Sequence, residues 1–253
     1  TAYEIVSRDW SSDVCSSDLV KAGDDLARLI GDRLTGELAL KPGDVVVLAQ
    51  KIVSKAEGRM VDLATVKPSP RAVELAAEVL KDPRLVELIL SESMRVVRSR
   101  PNVLIVEHKL GLIMANAGID QSNVAPQDGV ERALLLPKDP DASAEALRTR
   151  LGVSAVLIID SFGRPWRKGT TGVAIGAAGL PSFIDMRGQT DMFGRVLQVT
   201  MPAFADEIAA AASLVMGQAA EALPVVIVRG LSWSAPSTPA RDLIRASGED
   251  LFR

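Results

Sequence analysis

Three short, strongly apolar runs, at residues 45–49, 153–159 and 224–229, most narrow what this chain can fold into. Each is brief and rich in valine and isoleucine, so each reads as a strand buried within a sheet. The residues that follow two of them are polar. The first run leads into Gln50-Lys51, and the second is expected to stop at Asp160-Ser161. Exits of this kind are where open α/β sheets commonly bind ligands.

Helical periodicity fills the intervals. Asp24 or Asp25 can cap a helix carrying Leu26, Leu29, Ile30 and Leu34 on one face, with Gly36 at its end. Residues 70–80 and 83–90 read as two further helices. Residues 139–152 carry Asp141 or Ser143 near the start and Gly152 after the end, the usual punctuation of a helix. An alanine-rich helix is expected from Pro202 to about Leu223, interrupted around Gly217-Gln218. Shorter extended runs are expected at 94–98, 102–106, 111–115, 182–186 and 196–199. No internal repeat is visible.

The chain has 253 residues, 47% of them apolar, enough for a sizeable core in one large domain or two small ones. Its net charge of −3 offers no general attraction to nucleic acid or to an acidic membrane, so an anionic ligand needs local cations. One cysteine, Cys15, excludes a disulfide framework within the chain and suits a reducing cytoplasm. One histidine, His108, excludes a histidine-cluster metal site. No apolar run approaches the ~18 residues of a membrane span, and no basic segment leads into an apolar one as a signal peptide would. Residues 8–19, with a doubled Ser-Ser-Asp, resemble translated sequencing-adaptor sequence. On that account residues 1–19 are read as a non-native or disordered arm and set aside, a flexible polar arm being the alternative for 8–19.

Three polar stretches carry candidate chemistry. In Asn116-Ala117-Gly118-Ile119-Asp120-Gln121-Ser122-Asn123-Val124, Asp120 and Asn123 are three apart, close enough in a tight turn to share a side. Asp120 can hold a hard cation while Asn123 meets a ligand oxygen or base edge; equally, Asp120 can be a helix N-cap. Asp160-Ser161 at a strand end offers oxygen ligands suited to magnesium or manganese. Arg164, Arg167 and Lys168 follow, able to neutralise phosphate or carboxylate or simply to form a solvated basic loop. Lys168 precedes Gly169, which rules out a Walker loop, and Gly172, Gly176 and Gly179 have the wrong spacing for a dinucleotide fingerprint. The third stretch is Arg187-Gly188-Gln189-Thr190-Asp191-Met192-Phe193-Gly194-Arg195. Lys55 is a candidate phosphate contact or a solvated surface lysine.

Taken together, Lys51-Ile52-Val53-Ser54-Lys55-Ala56-Glu57-Gly58-Arg59, the Asn116 to Val124 stretch, Asp160-Ser161-Phe162-Gly163-Arg164-Pro165-Trp166-Arg167 and Arg187-Gly188 with Asp191 and Phe193-Gly194-Arg195 resemble the coenzyme F420-0:L-glutamate ligase family. The resemblance runs from about Gly23 to Leu231. It implies a two-lobed, mixed-sheet α+β fold forming an intertwined homodimer, the ligase unit occupying residues 20–232. It further implies a GTP-dependent amide-forming enzyme acting on L-glutamate and coenzyme F420-0, with two Mg2+ or Mn2+ ions per site and potassium as a further ion. By similarity Asp120 and Asp160 hold the first divalent ion, and Ser161 and Gln218 the second. Gln50, Lys55, Asn123 and the segment containing Met216, Gly217, Gln218, Ala219 and Ala220 meet the nucleotide. Asp120, Asp160 and Arg164 are the catalytic candidates, with Arg167, Lys168 and Arg195 for substrate carboxylates or phosphate.

This sequence departs from the family at Gln50, where serine or histidine is usual, and at Lys109-Leu110 in place of an arginine-histidine pair. The family's N-terminal Leu-Pro-Glu-type segment has no counterpart; its place falls within residues 8–19. Residues 233–253 resemble the joint that precedes a flavin-binding domain in the bacterial two-domain form, and are expected to be a linker. Two other readings of the residues stand beside this one. A metal-dependent nucleotide phosphotransferase or hydrolase would cleave GTP without glutamate, and a nucleotide- or deazaflavin-binding module would bind tightly without turnover.

Overall fold

The computed structural model describes residues 4–7, 20–121, 129–219 and 221–250. The chain is α+β. Its main sheet has five strands, β1 (Glu4–Ser7), β2 (Val45–Ala49), β8 (Ala155–Arg164), β9 (Arg167–Ala178) and β10 (Val225–Arg229), in the order β1-β10-β2-β8-β9. The three apolar runs are its central strands. β2 and β8 are parallel, paired from Val45 with Ala155 to Ala49 with Ile159, while the other pairings are antiparallel. Continuous burial along β2 follows from cover on both faces.

That cover is helical. On one face α1 (Leu26–Arg33), α2 (Gln50–Ala56) and α5 (Pro140–Leu151) pack with Val46, Leu48, Val156 and Ile158; on the other, α6 (Phe204–Met216) lays Ala205, Ile208, Ala209 and Ala212 over Val45, Val47 and Leu157. Small residues permit the close approach. A Cβ on Gly172 would stand 2.4 Å from the Ala209 carbonyl oxygen of α6, and one on Gly176 would stand 2.3 Å from that of Pro140 in α5.

A third core lies elsewhere in the chain. α3 (Pro70–Val79) and α4 (Pro83–Ser91) pack Leu75, Val79, Val86 and Ile89 against Leu104 and Val106 of β5 (Val103–His108). β5 is the middle strand of a sheet with β4 (Ser93–Arg100) and β6 (Ile113–Ala115), and β3 (Met60–Asp62) pairs with β7 (Arg132–Leu134). Local signals fix these helix starts: Ser69, Asp82 and Asp139 each accept a backbone N–H of the first turn, and proline opens each of the three helices, the cap of α5 being Asp139 where Asp141 or Ser143 was expected.

Three expectations need correction. β8 does not stop at Asp160 but continues to Arg164, because Asp160 to Gly163 remain paired with Val173 to Thr170 of β9. The anticipated basic loop is therefore a hairpin turning at Pro165-Trp166. α6 ends at Met216, not near Leu223, because Gly217 adopts φ 71° and ψ −175°, outside the helical region. Residues 182–186 and 196–199 form no regular strand, although Ile184 and Met186 donate backbone hydrogen bonds to Pro202 and Thr200. At the polar exit after Ala49, where the sequence set no particular structure, α2 starts directly at Gln50.

The stretch after Gly230 is seated on the body. The Phe204 and Trp233 rings lie 6.0 Å apart, and the buried Asp141 carboxylate accepts from the backbone N–H groups of Ala177 and Ala240 and from Arg241 Nε. Among the described residues no helix is long and apolar enough to cross a membrane.

Candidate active site

A cavity of about 270 Å³ opens where the parallel pairing of β2 with β8 ends, at Ala49 and Ile159. Its walls come from distant parts of the chain: Val20, Leu29 and Arg33 from the first helix and the segment before it; Ala49 to Ile52 from the β2–α2 junction; Ile159 to Ser161 from β8; and Ser213, Met216 to Ala219 and Glu221 to Pro224 from α6 and the segment after it. The lining is divided in character. Val20, Leu29, Ile52, Leu223 and Pro224 are apolar; Lys51, Asp160, Ser161 and Gln218 are polar.

Direct contacts knit the polar group together. Because α2 begins at the strand end, Lys51 is held on a rigid first turn, and its Nζ lies 2.6 Å from Oδ2 of Asp120. Asp120 is fixed in turn by paired backbone hydrogen bonds with Leu134, 3.0 and 2.9 Å long. Ser161 Oγ donates to Gln218 Oε1 at 2.8 Å, joining β8 to the segment after α6. Burial pushes the Asp160 carboxyl up to about 6; the Asp120 charge adds to this, while the Ser161 backbone N–H and the Lys51 ammonium oppose it. Asp120 and Asp160, 40 positions apart in sequence, therefore act on one another electrostatically.

The expected residues divide on this geometry. Gln50, Asp160, Ser161, Met216, Gly217, Gln218 and Ala219 line the cavity, and Asp120 adjoins it through Lys51. Gln50 is buried, its amide oxygen accepting from Ser54 Oγ at 2.8 Å. Lys55 is also buried, 5% exposed on α2, and is not on the cavity wall. Arg164, Arg167 and Lys168 lie along the β8–β9 hairpin and Arg195 on the loop after Asp191, none of them lining the cavity. Asn123 and Ala220 fall outside the described residues, as do residues 8–19 with Cys15. Among the described residues, the cationic ones on the cavity wall are Arg33 and Lys51, neither singled out by spacing alone. Lys51 carried one usable signal, its place immediately beyond a buried strand.

Among the described residues no group of three or more histidine, cysteine or acidic side chains converges. The oxygen set available to a cation is two carboxylates, a hydroxyl and a carboxamide. It fits a hard divalent ion, which accepts mixed oxygen donors and completes its shell with water or substrate oxygens.

Sequence comparisons identify the family. The family model described as F420-0:Gamma-glutamyl ligase matches residues 15–230. A coenzyme F420:L-glutamate ligase from Methanothermobacter thermautotrophicus is 47% identical over 243 residues, covering 93% of this chain and 95% of the relative. Proteins of the same name from Methanopyrus kandleri and Methanocaldococcus jannaschii are 46% and 42% identical, covering 92% and 87% of this chain and 93% and 88% of their own lengths. The chain belongs to the F420-0:gamma-glutamyl ligase family.

Proposed function

We propose that this protein joins L-glutamate to the lactyl carboxylate of coenzyme F420-0 through an amide bond, consuming GTP and releasing GDP and phosphate. The observation that carries this reading is the meeting of four separate segments at one end of one cavity: Lys51 on Asp120, Asp160 within reach of the Asp120 field, and Ser161 on Gln218. Relatives named coenzyme F420:L-glutamate ligase give the reaction its substrates.

The residues divide the work. The apolar wall of Val20, Leu29, Ile52, Leu223 and Pro224 suits a flat base, and the polar end suits a triphosphate. Asp120 and Asp160 would hold one Mg2+ or Mn2+ ion, and Ser161 and Gln218 a second. Such ions supply charge neutralisation on a transferring phosphoryl group. Attack of the lactyl carboxylate oxygen on the γ-phosphorus breaks the bond to the β–γ bridging oxygen and gives an acyl phosphate and GDP. The glutamate amine then displaces phosphate, losing a proton as the amide forms. Lys51, fixed by Asp120, places a positive charge where phosphate oxygens gather, and the cavity walls limit competing hydrolysis. Arg164, Arg167, Lys168 and Arg195 lie off the wall and are reserved for the acidic co-substrates.

A homodimer completes this reading. Trp166 at the hairpin tip and Met192 and Phe193 in the following loop are 88%, 89% and 81% exposed, a bulky apolar set for a second copy to cover. Incubation with GTP, Mn2+, L-glutamate and coenzyme F420-0 should raise the mass of the deazaflavin by one glutamyl unit, and Asp120→Asn should abolish the gain. Cleavage of GTP without glutamate incorporation would overturn the assignment in favour of a hydrolase.

A further inference from the structure

Among the described residues, α1 and the segment before it give the cavity wall two apolar side chains, Val20 and Leu29, and one polar one, Arg33. Leu29 and Arg33 are one helical turn apart and so share a face of α1. Arg33 is the last residue of that helix and half-buried, and its Nη1 donates to the Leu29 carbonyl oxygen at 3.2 Å. That bond tethers the guanidinium beside the apolar wall. Lys51, the other cation among the described wall residues, is committed to the polar end by its 2.6 Å contact with Asp120.

Apolar walls hold a purine without telling one purine from another, because every base offers a π-face. Discrimination needs a polar group at the base edge. Guanine presents two acceptors side by side, O6 and N7, where adenine presents N7 beside the N6 amino donor. A guanidinium carries its donors in a planar fork and has no acceptor, so it matches the first pair and opposes the second.

We propose that Arg33 makes this cavity select guanine over adenine: its guanidinium, held at the Leu29 wall, donates to O6 and N7 of the base while the polar end takes the phosphates. The inference rests on the nucleotide reading of the cavity and deepens it by naming the specificity-determining side chain. A site built around donors rejects a ligand that turns an amino group towards them. A cation at a helix C-terminus also interacts favourably with the helix dipole, but a lysine would serve that purpose equally well. Reading a base edge through two acceptors requires the fork, so substitution by lysine separates the two roles.

Calorimetric titration of the full chain with the Mg2+ complexes of GDP, inosine diphosphate and ADP tests this in the wild type, Arg33→Lys and Arg33→Met, the last keeping an apolar stem on the wall. Inosine retains O6 and N7 but lacks the 2-amino group of guanine. The wild type should bind GDP and inosine diphosphate more tightly than ADP. Both variants should lose about tenfold in affinity for the first two and leave ADP unchanged. An equal loss for all three ligands would overturn the proposal and make Arg33 a phosphate contact. Unchanged GDP affinity would overturn it and leave Arg33 a helix-end cation, and a loss confined to GDP would overturn it by moving discrimination to the 2-amino edge. Equal wild-type affinity for GDP and ADP would likewise end it. If the wild type binds none of the three, the nucleotide reading of the cavity itself falls, a result distinct from any selective change. Far-ultraviolet circular dichroism establishes that each variant is folded.

Discussion

Asp160 is the residue whose chemistry and stability pull in opposite directions. Its carboxyl is pushed up to about 6 from an ordinary 3.8, chiefly by burial. Because the folded state holds this proton more tightly than the unfolded chain, stability falls as pH rises from about 4 to about 6 and the full cost remains above that range. A difference of about two units corresponds to roughly 3 kcal/mol. In EDTA at pH 7.5, Asp160→Asn should therefore raise the melting temperature, the gain should fade as the pH is lowered through 6, and turnover should be lost. A variant melting below the wild type at pH 7.5 would contradict this account.

His108 carries the opposite sign. It is 3% exposed, its Nδ1 accepts the Leu110 N–H at 2.9 Å, and its Nε2 lies 3.8 Å from Glu92 Oε2 without a hydrogen bond. Burial lowers its pKa despite the nearby Glu92 charge, with Arg59 and Lys109 adding to the depression. The folded state thus resists a proton that the unfolded chain accepts, and the stability linked to this group is lost as pH falls below about 6.5. The single histidine gives one imidazole set in the proton spectrum, so its titration can be followed directly. Its midpoint should lie below 6.5, and His108→Gln should flatten the acid limb of the stability curve between pH 5 and 7.

At the scale of elements, β9 is the strand on which two helices are closely packed. Gly176→Ala should cost about 1–3 kcal/mol, since the added methyl meets backbone that cannot swing aside. Gly163→Ala, on the neighbouring strand, meets nothing within 4 Å and should leave stability within about 0.5 kcal/mol of the wild type. Denaturant unfolding of the two variants side by side separates the packing role from a general effect of glycine.

Legibility in the sequence follows the same division between local and distant causes. α3, α4 and α5 could be read nearly to the residue because Ser69, Asp82, Asp139 and their following prolines act within one turn. The continuation of β8 past Asp160 could not, because polar Asp160 and Ser161 stay extended only through pairing with β9, and no local signal records that partner. Likewise, a motif announced Asp160 and Ser161 as candidates and the family resemblance added Gln218, but their contacts arise from closure of the sheet. Lys51 reads as one more polar residue until α2 is seen to begin without a turn.

For the whole molecule, the exposed Trp166, Met192 and Phe193 argue for a partner copy, and Phe193→Asp should shift sedimentation from dimer to monomer. A wild-type protein sedimenting as a monomer at micromolar concentration would remove that part of the proposal.

The cavity has a kinetic consequence as well. Its walls draw on Val20 at one extreme and Pro224 at the other, and on β2 and β8, whose parallel pairing spans a long intervening stretch. Contacts so remote along the chain form late and slowly. A fluorescent guanine nucleotide added during refolding would then brighten only when the last long-range pairing locks, making ligand capture a clock for completion of the fold.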